Sequence, residues 1–123
     1  MSFQNILLVA LGGAIGAVSR YLFSTVLPFD GQQFPWATFL INTLGCILIA
    51  LFFIRFGENE AQLSWKLLLM TGFCGGFTTF STFSLETIKL LQNRLFVLTF
   101  LYVFGSVFAS LFAVWTILQS SKN

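Results

Sequence analysis

Apolar residues fill four long stretches of the chain, at roughly 3–27, 36–56, 65–91 and 95–118, and polar residues gather in the short gaps between them. Each stretch reaches the about 20 residues that a helix needs to cross a bilayer. The pattern predicts four transmembrane helices in one membrane domain, residues 1–123, with no length left for a second. Pro28, Asp30-Gly31 and Pro35 mark the first connection by their turn chemistry. Trp36 opens the second stretch at the depth where aromatic belts lie. Arg55-Phe56-Gly57 closes it, with a basic residue near the carboxyl end of the helix and then a glycine stop.

The third stretch has a different texture. Its 27 residues would make about 40 Å of continuous helix, against a hydrocarbon core of about 30 Å. In its middle lies Gly72-Phe73-Cys74-Gly75-Gly76-Phe77-Thr78-Thr79-Phe80-Ser81-Thr82-Phe83-Ser84. Adjacent glycines, β-branched threonines and alternating hydroxyls make a poor continuous helix. The third helix is therefore expected to break at mid-membrane, where Gly75-Gly76 and Thr78-Thr79 lie. Backbone released at that depth must find partners in protein, water or an ion. A broken transmembrane helix is a site candidate.

Composition agrees with a membrane setting: 57% of residues are hydrophobic and 8% charged, where a soluble domain carries about a quarter charged. The N-terminus, Met1 to Asn5, has no basic flank and no small-residue cleavage site follows, so the first stretch reads as a retained span. A net charge of +2, scattered along the chain, gives no nucleic-acid footprint. Cys46 and Cys74 lie in apolar segments and read as small buried thiols. With no histidine to join them they make no metal site. All four carboxylates fall at or beyond the membrane boundaries, so no acid–base or nucleophile–base pair is visible and the chain reads as a non-enzyme.

Charge placement bears on orientation. Arg55, Lys66 and Lys122 fall on the side of the termini, and Lys89 and Arg94 on the other, which Arg20 joins if it is counted outside its span. Orientation follows the Lys/Arg bias of short loops, and here there is almost none. Insertion in both directions follows, and with it an antiparallel homodimer.

Several residues stand out within the spans. Gly12 and Gly16 have the small-xxx-small spacing that lets another helix approach closely. Arg20 has two readings: a snorkelling or structural arginine, or a cation that draws anions to a pore mouth. Asn42 is either interhelical glue or a donor on a polar path. Phe80 and Phe83 share a helix face amid the hydroxyls of Ser81, Thr82 and Ser84, and periodicity alone favours ordinary packing for both rings. Glu86 is expected at a wetted mouth, with Lys89 at i+3 as an ion-pair partner. Tyr102, Ser106 and Ser110 form a hydroxyl stripe on the fourth helix, which Val114 interrupts.

Taken in order, Gly12-Gly13 through Arg20-Tyr21, Asn42-Thr43-Leu44-Gly45 and the Gly72–Ser84 motif resemble the CrcB/Fluc family of fluoride channels over nearly the whole chain. The resemblance implies a dual-topology, antiparallel homodimer in the bacterial inner membrane, with two pores that export fluoride passively. It assigns Phe80, Phe83 and Asn42 to the fluoride pathway, together with the polar track of Tyr102, Ser106 and Ser110. Val114 departs from the threonine expected next in that track. It also assigns the backbone carbonyls of Gly75 and Thr78 to a structural sodium ion at the dimer interface. With the hydroxyls of Ser81 and Thr82 beside the rings, and Arg20 and Glu86 at the vestibules, the candidate site is complete.

Other classes fit less well. A small multidrug transporter of similar length would carry a carboxylate in its first span, where this chain has Arg20 and no acid. A purely structural membrane subunit leaves the hydroxyl stripe without a purpose.

Overall fold

Threonine decides where the third apolar stretch stops being a helix. Thr78 (φ −77°, ψ 159°) and Thr79 (φ −152°, ψ 121°) are both extended, the conformation that β-branched side chains favour. The adjacent glycine pair stays helical, with Gly75 at φ −62° and ψ −38°. The break thus falls on the threonines and not on the glycines.

A computed structural model describes residues 2–57 and 59–122. Glu58, one of the four acids expected at the membrane boundaries, lies outside the described residues. Helix α1 is Phe3–Val26 and α2 is Trp36–Phe56. After a short 3-10 turn at Glu60–Gln62, α3 occupies residues 63–77, its middle (Lys66–Cys74) wound with the wider i→i+5 spacing. Helix α4 is Phe80–Gln92 and α5 is Phe96–Ser120. Helices α1, α2 and α5, of 24, 21 and 25 residues, are the three uninterrupted helices among the described residues long and apolar enough to cross a membrane. No strand occurs among the described residues. The third stretch forms two helical pieces, α3 and α4, where one broken span was expected.

Packing is interleaved along the chain. Helix α1 lies chiefly on α3, and α2 chiefly on α5. The α1–α3 contact is backbone on backbone. A Cβ on Gly72 would lie 2.9 Å from Gly12 Cα and from Val9 O, and one on Gly16 would lie 2.8 Å from Phe77 N. A Cβ on Gly76 would fall 3.0 Å from Gly13 Cα. Gly72 and Gly76 repeat on α3 the four-residue spacing of Gly12 and Gly16, so two small-residue ridges meet. Gly76 therefore serves close approach, which is why it remains helical. Ala37, Ile41 and Phe77 form a small buried core against which Phe23 and Phe73 pack.

Among the described residues two connections carry a positive φ: Arg94, at φ 61°, between α4 and α5, and Gly31 in the first loop. Gly31, at φ +86°, turns the α1–α2 connection where a side chain would be strained. Its carbonyl accepts a 2.7 Å hydrogen bond from Asn93 Nδ2, which ties the loop to the end of α4.

The glycine contact makes a direct prediction. Gly16→Val forces a branched side chain into the Phe77 and Phe73 backbone, and overpacking of this kind costs about 1–3 kcal/mol. Gly13→Ala meets only Gly72 O, at 3.9 Å, and is expected to leave melting unchanged. Thermal unfolding of the two variants in detergent reads the difference, and equal melting would sink the backbone-contact account.

Candidate functional site

Polar groups released at the break are recovered by two side chains. Thr79 Oγ1 accepts from the Thr82 N–H at 3.1 Å, which makes Thr79 the N-cap of α4. The same hydroxyl donates to Thr82 Oγ1 at 3.0 Å and lies 3.2 Å from Ser81 Oγ. Asn42, from α2, takes the backbone of Thr79 itself: Oδ1 accepts from the Thr79 N–H at 2.8 Å, and Nδ2 donates to the Thr79 carbonyl at 3.0 Å. In an unbroken helix the amides of Thr79 and Thr82 would serve the carbonyls of Gly75 and Thr78. Both amides are diverted, so both carbonyls lose their helical donors.

The break opens onto an open-sided groove of about 550 Å³. Asn42, Phe80, Phe83, Ser106 and Ser110 all line it, and so do Gly75, Thr78 and Thr79. Phe80 is 79% exposed on the single chain, and its ring centroid lies 5.6 Å from that of Phe83. Ser106 is buried and its Oγ has no hydrogen-bond partner in the described structure. Buried hydroxyls are normally paired, so this donor on the groove wall is unusual. Cys46 and Cys74 are free thiols on the same wall, the first half-buried and the second buried.

Tyr102, Glu86 and Thr38 form a separate polar knot beside the groove. The Tyr102 hydroxyl donates to Glu86 Oε2 at 2.7 Å, and Thr38 Oγ1 donates to Glu86 Oε1 at 3.0 Å. Tyr102 is fully buried, with the Phe83 ring centroid 5.0 Å away and Phe34 edge-on at 5.5 Å. Glu86 is itself buried, and its partners are these hydroxyls and not Lys89, so the expectation of a wetted, lysine-paired carboxylate gives way. Burial explains the exchange, because an enclosed carboxylate needs donors that are equally enclosed.

The structure therefore gathers Asn42, Phe80, Phe83, Ser106 and Ser110 on one groove and sets Tyr102 behind Phe83. Thr82 is half-buried and Ser81 exposed at the start of α4, and Arg20 is half-buried on α1. Val114 is half-buried one turn beyond Ser110. Thr38 escaped the sequence reading, and Thr79 was placed at the break without its capping role. Thr38 stands one helical turn before Asn42, on the same face. Thr79 sits directly before an amphipathic segment, where an N-cap belongs. Both signals were present, but they were hidden among many other hydroxyls.

Three helices long and apolar enough to span a membrane, with a further helical segment broken beside a largely apolar groove that a few polar side chains enter, define a multi-pass membrane protein. Residues 7–117 match the family described as CrcB-like protein, Camphor Resistance (CrcB), and the chain belongs to it. A relative from Flavobacterium psychrophilum is 46% identical over 122 residues, which is 98% of each chain. Another, from Phocaeicola vulgatus, is 43% identical over 112 residues, 90% of this chain and 93% of the relative. A third, from Chlorobium phaeobacteroides, is 40% identical over 98% of this chain and 94% of its own length. All three carry the name fluoride-specific ion channel FluC. These relatives are channels, and the reading of the chain as a non-enzyme stands with them.

The polar knot is open to test. Tyr102→Phe removes one of the two hydroxyl donors to Glu86, and a hydrogen bond to a charged group contributes about 1.5–3 kcal/mol. The variant is expected to unfold that much more easily in a denaturant titration, with Thr38→Val in the same direction. Unchanged stability in both would show that the knot holds nothing together.

Proposed function

We propose that the chain is a fluoride-selective channel that lets fluoride leave the cell passively across the bacterial inner membrane. The observation that carries this reading is the single groove at the helix break. It collects Asn42, two phenylalanine rings, Ser110 and the unpartnered hydroxyl of Ser106 in a chain whose relatives are named fluoride-specific ion channels. In this reading α3 and α4 together make one crossing, broken at mid-membrane, so that the chain crosses four times. Two copies pair in antiparallel orientation, and each closes the open side of the other's groove to form two pores. The exposure of Phe80 on the single chain and the near-even Lys/Arg distribution support it.

Fluoride is small and strongly hydrated, so a pore must replace its water with many modest donors. The hydroxyls of Ser106 and Ser110 supply some, with Ser81 and Thr82 at the start of α4. The edge of a phenyl ring is the positive part of its quadrupole, and Phe80 and Phe83 offer edges without a full positive charge that would trap the ion. The amino end of α4 adds the positive end of its dipole. Conduction needs binding strong enough to load and weak enough to release, which favours this set over a single lysine. Arg20 draws anions towards the vestibule from α1. Glu86, enclosed and not at a wetted vestibule, orients its two hydroxyl donors, Thr38 and Tyr102, behind the groove wall.

The carbonyls of Gly75 and Thr78 suit a sodium ion shared with the partner copy. Both have lost their helical donors, and a Cβ built on Gly75 meets nothing within 4 Å, so the position faces open space on the single chain. Hard cations take neutral oxygen ligands of this kind, as unwound helices provide elsewhere. Bound there, sodium would join the two copies and offset the charge of anions nearby.

Two experiments test the proposal. Liposomes loaded with fluoride and containing the purified protein should release it, while chloride-loaded liposomes do not. Phe80→Ile and Phe83→Ile should each slow release on the order of tenfold or more, the equivalent of about 1.4 kcal/mol on the barrier, with the dimer still folded. Equal chloride release, or normal fluoride release in both variants, would remove the ring-edge pore. Separately, a cysteine engineered into the 28–35 loop should react with impermeant reagent from both sides of the membrane, about half from each, given the weak Lys/Arg bias. Labelling from one side alone would end the dual-topology reading.

A further inference from the structure

Asn42 makes both of its hydrogen bonds to the main chain of one residue, Thr79. A side-chain amide that pairs with the N–H and the C=O of the same residue acts as a short piece of neighbouring strand. It holds Thr79 extended, at φ −152° and ψ 121°. The Thr79 hydroxyl cannot do this work, because it acts downstream, on the Thr82 N–H that would otherwise serve the Thr78 carbonyl. The Thr79 N–H would otherwise close on the Gly75 carbonyl, four residues back. Asn42 is what diverts it. An amide has two N–H donors and one acceptor, so one N–H remains for the groove that Asn42 lines.

We propose that Asn42 is the positioning residue of the cation site. By clamping Thr79 in the extended form it keeps the Gly75 carbonyl free to bind a hard monovalent cation, and it joins that site to the anion groove in one side chain. The inference rests on the sodium reading above. It assigns Asn42 a task that a purely pore-lining donor would not have, since removing the clamp returns the Thr79 N–H to Gly75 and continues the helix by one bond.

The experiment reads the melting temperature of the full-length protein in detergent, in sodium and in N-methyl-D-glucamine, across a range of pH. Melting is preferred to flux because neutral hydrogen fluoride, formed in acid, crosses lipid unaided. The natural protein is expected to melt higher in sodium, as any ligand of the folded state requires. Asn42→Ala should lose that increment at every pH. Asn42→Asp should lose it at neutral pH, where the carboxylate meets the Thr79 carbonyl with no proton to donate, and regain it on acidification. A neutral carboxyl supplies one donor and one acceptor in the places of the amide. Phe80→Ile leaves the clamp intact and should keep the increment.

Persistence of the sodium increment in Asn42→Ala overturns the coupling, and so does a failure of Asn42→Asp to recover in acid. The acid comparison stands alone if Asn42→Ala does not fold. Absence of an increment in the natural protein sinks the sodium reading itself, and with it the coupling. Hydrogen exchange across residues 75–84 then decides the clamp without reference to any cation. Faster exchange at Thr79 in Asn42→Asp at neutral pH than in acid, beyond the intrinsic pH effect measured on the natural protein, supports it, and an equal rate refutes it.

Discussion

Backbone polar groups that leave a helix inside an apolar layer have to be partnered by the protein, and this constraint shapes everything around Thr78 and Thr79. Each unpartnered group would cost several kcal/mol there. Thr79 answers with its own hydroxyl, as the cap of α4, and Asn42 answers from α2 with a two-point amide. The amides that would serve the Gly75 and Thr78 carbonyls in a continuous helix are diverted, and the Ser106 hydroxyl has no partner among the described residues.

The two pieces of the broken helix are steadied by different neighbours. Helix α3 is held through glycines against α1, with no side chain between the backbones. Helix α4 is held by Glu86, whose carboxylate reaches Thr38 on α2 and Tyr102 on α5. Thr38 and Asn42 stand one turn apart on α2, so a single helix face supports both the second piece and the joint between the two. Phe83 leans on Tyr102 from this frame, while Phe80 is exposed on the chain's surface. One ring of the pair is thus braced by its own chain and the other lies open.

Much of this was legible in the sequence. Length and hydropathy set the ends of α1, α2 and α5 to within about two residues, because long apolar runs have few alternatives in a membrane. The break was legible from the glycine and threonine cluster, but not that the threonines alone carry it. Glycine pairs signal both flexible backbone and close helix contact, and only the packing of Gly76 on Gly13 shows which applies. Glu86 was misjudged for a related reason. Lys89 was its nearest charged neighbour in sequence, whereas the hydroxyls that hold it come from residues 48 and 16 positions away. Local spacing reports on neighbours along a helix, and not on what a second helix brings across.

The interleaved pairing of helices carries a consequence for how the protein is made. Helix α1 finds its main partner in α3, and α2 finds its own in α5, so neither adjacent pair is the principal contact. When the first two helices have entered the bilayer, their chief partners have yet to be synthesised. The glycine ridge of α1 meanwhile faces lipid with almost no side chain to fill the gap, and α2 carries Thr38 and Asn42 without the groups that satisfy them. Contacts that close only across long stretches of chain are slow to form. The α1–α3 contact closes once α3 has entered, whereas α2 waits for α5. A truncation that removes α5 would leave α2 without its principal partner and Glu86 without the Tyr102 hydroxyl, while the α1–α3 contact keeps all of its residues.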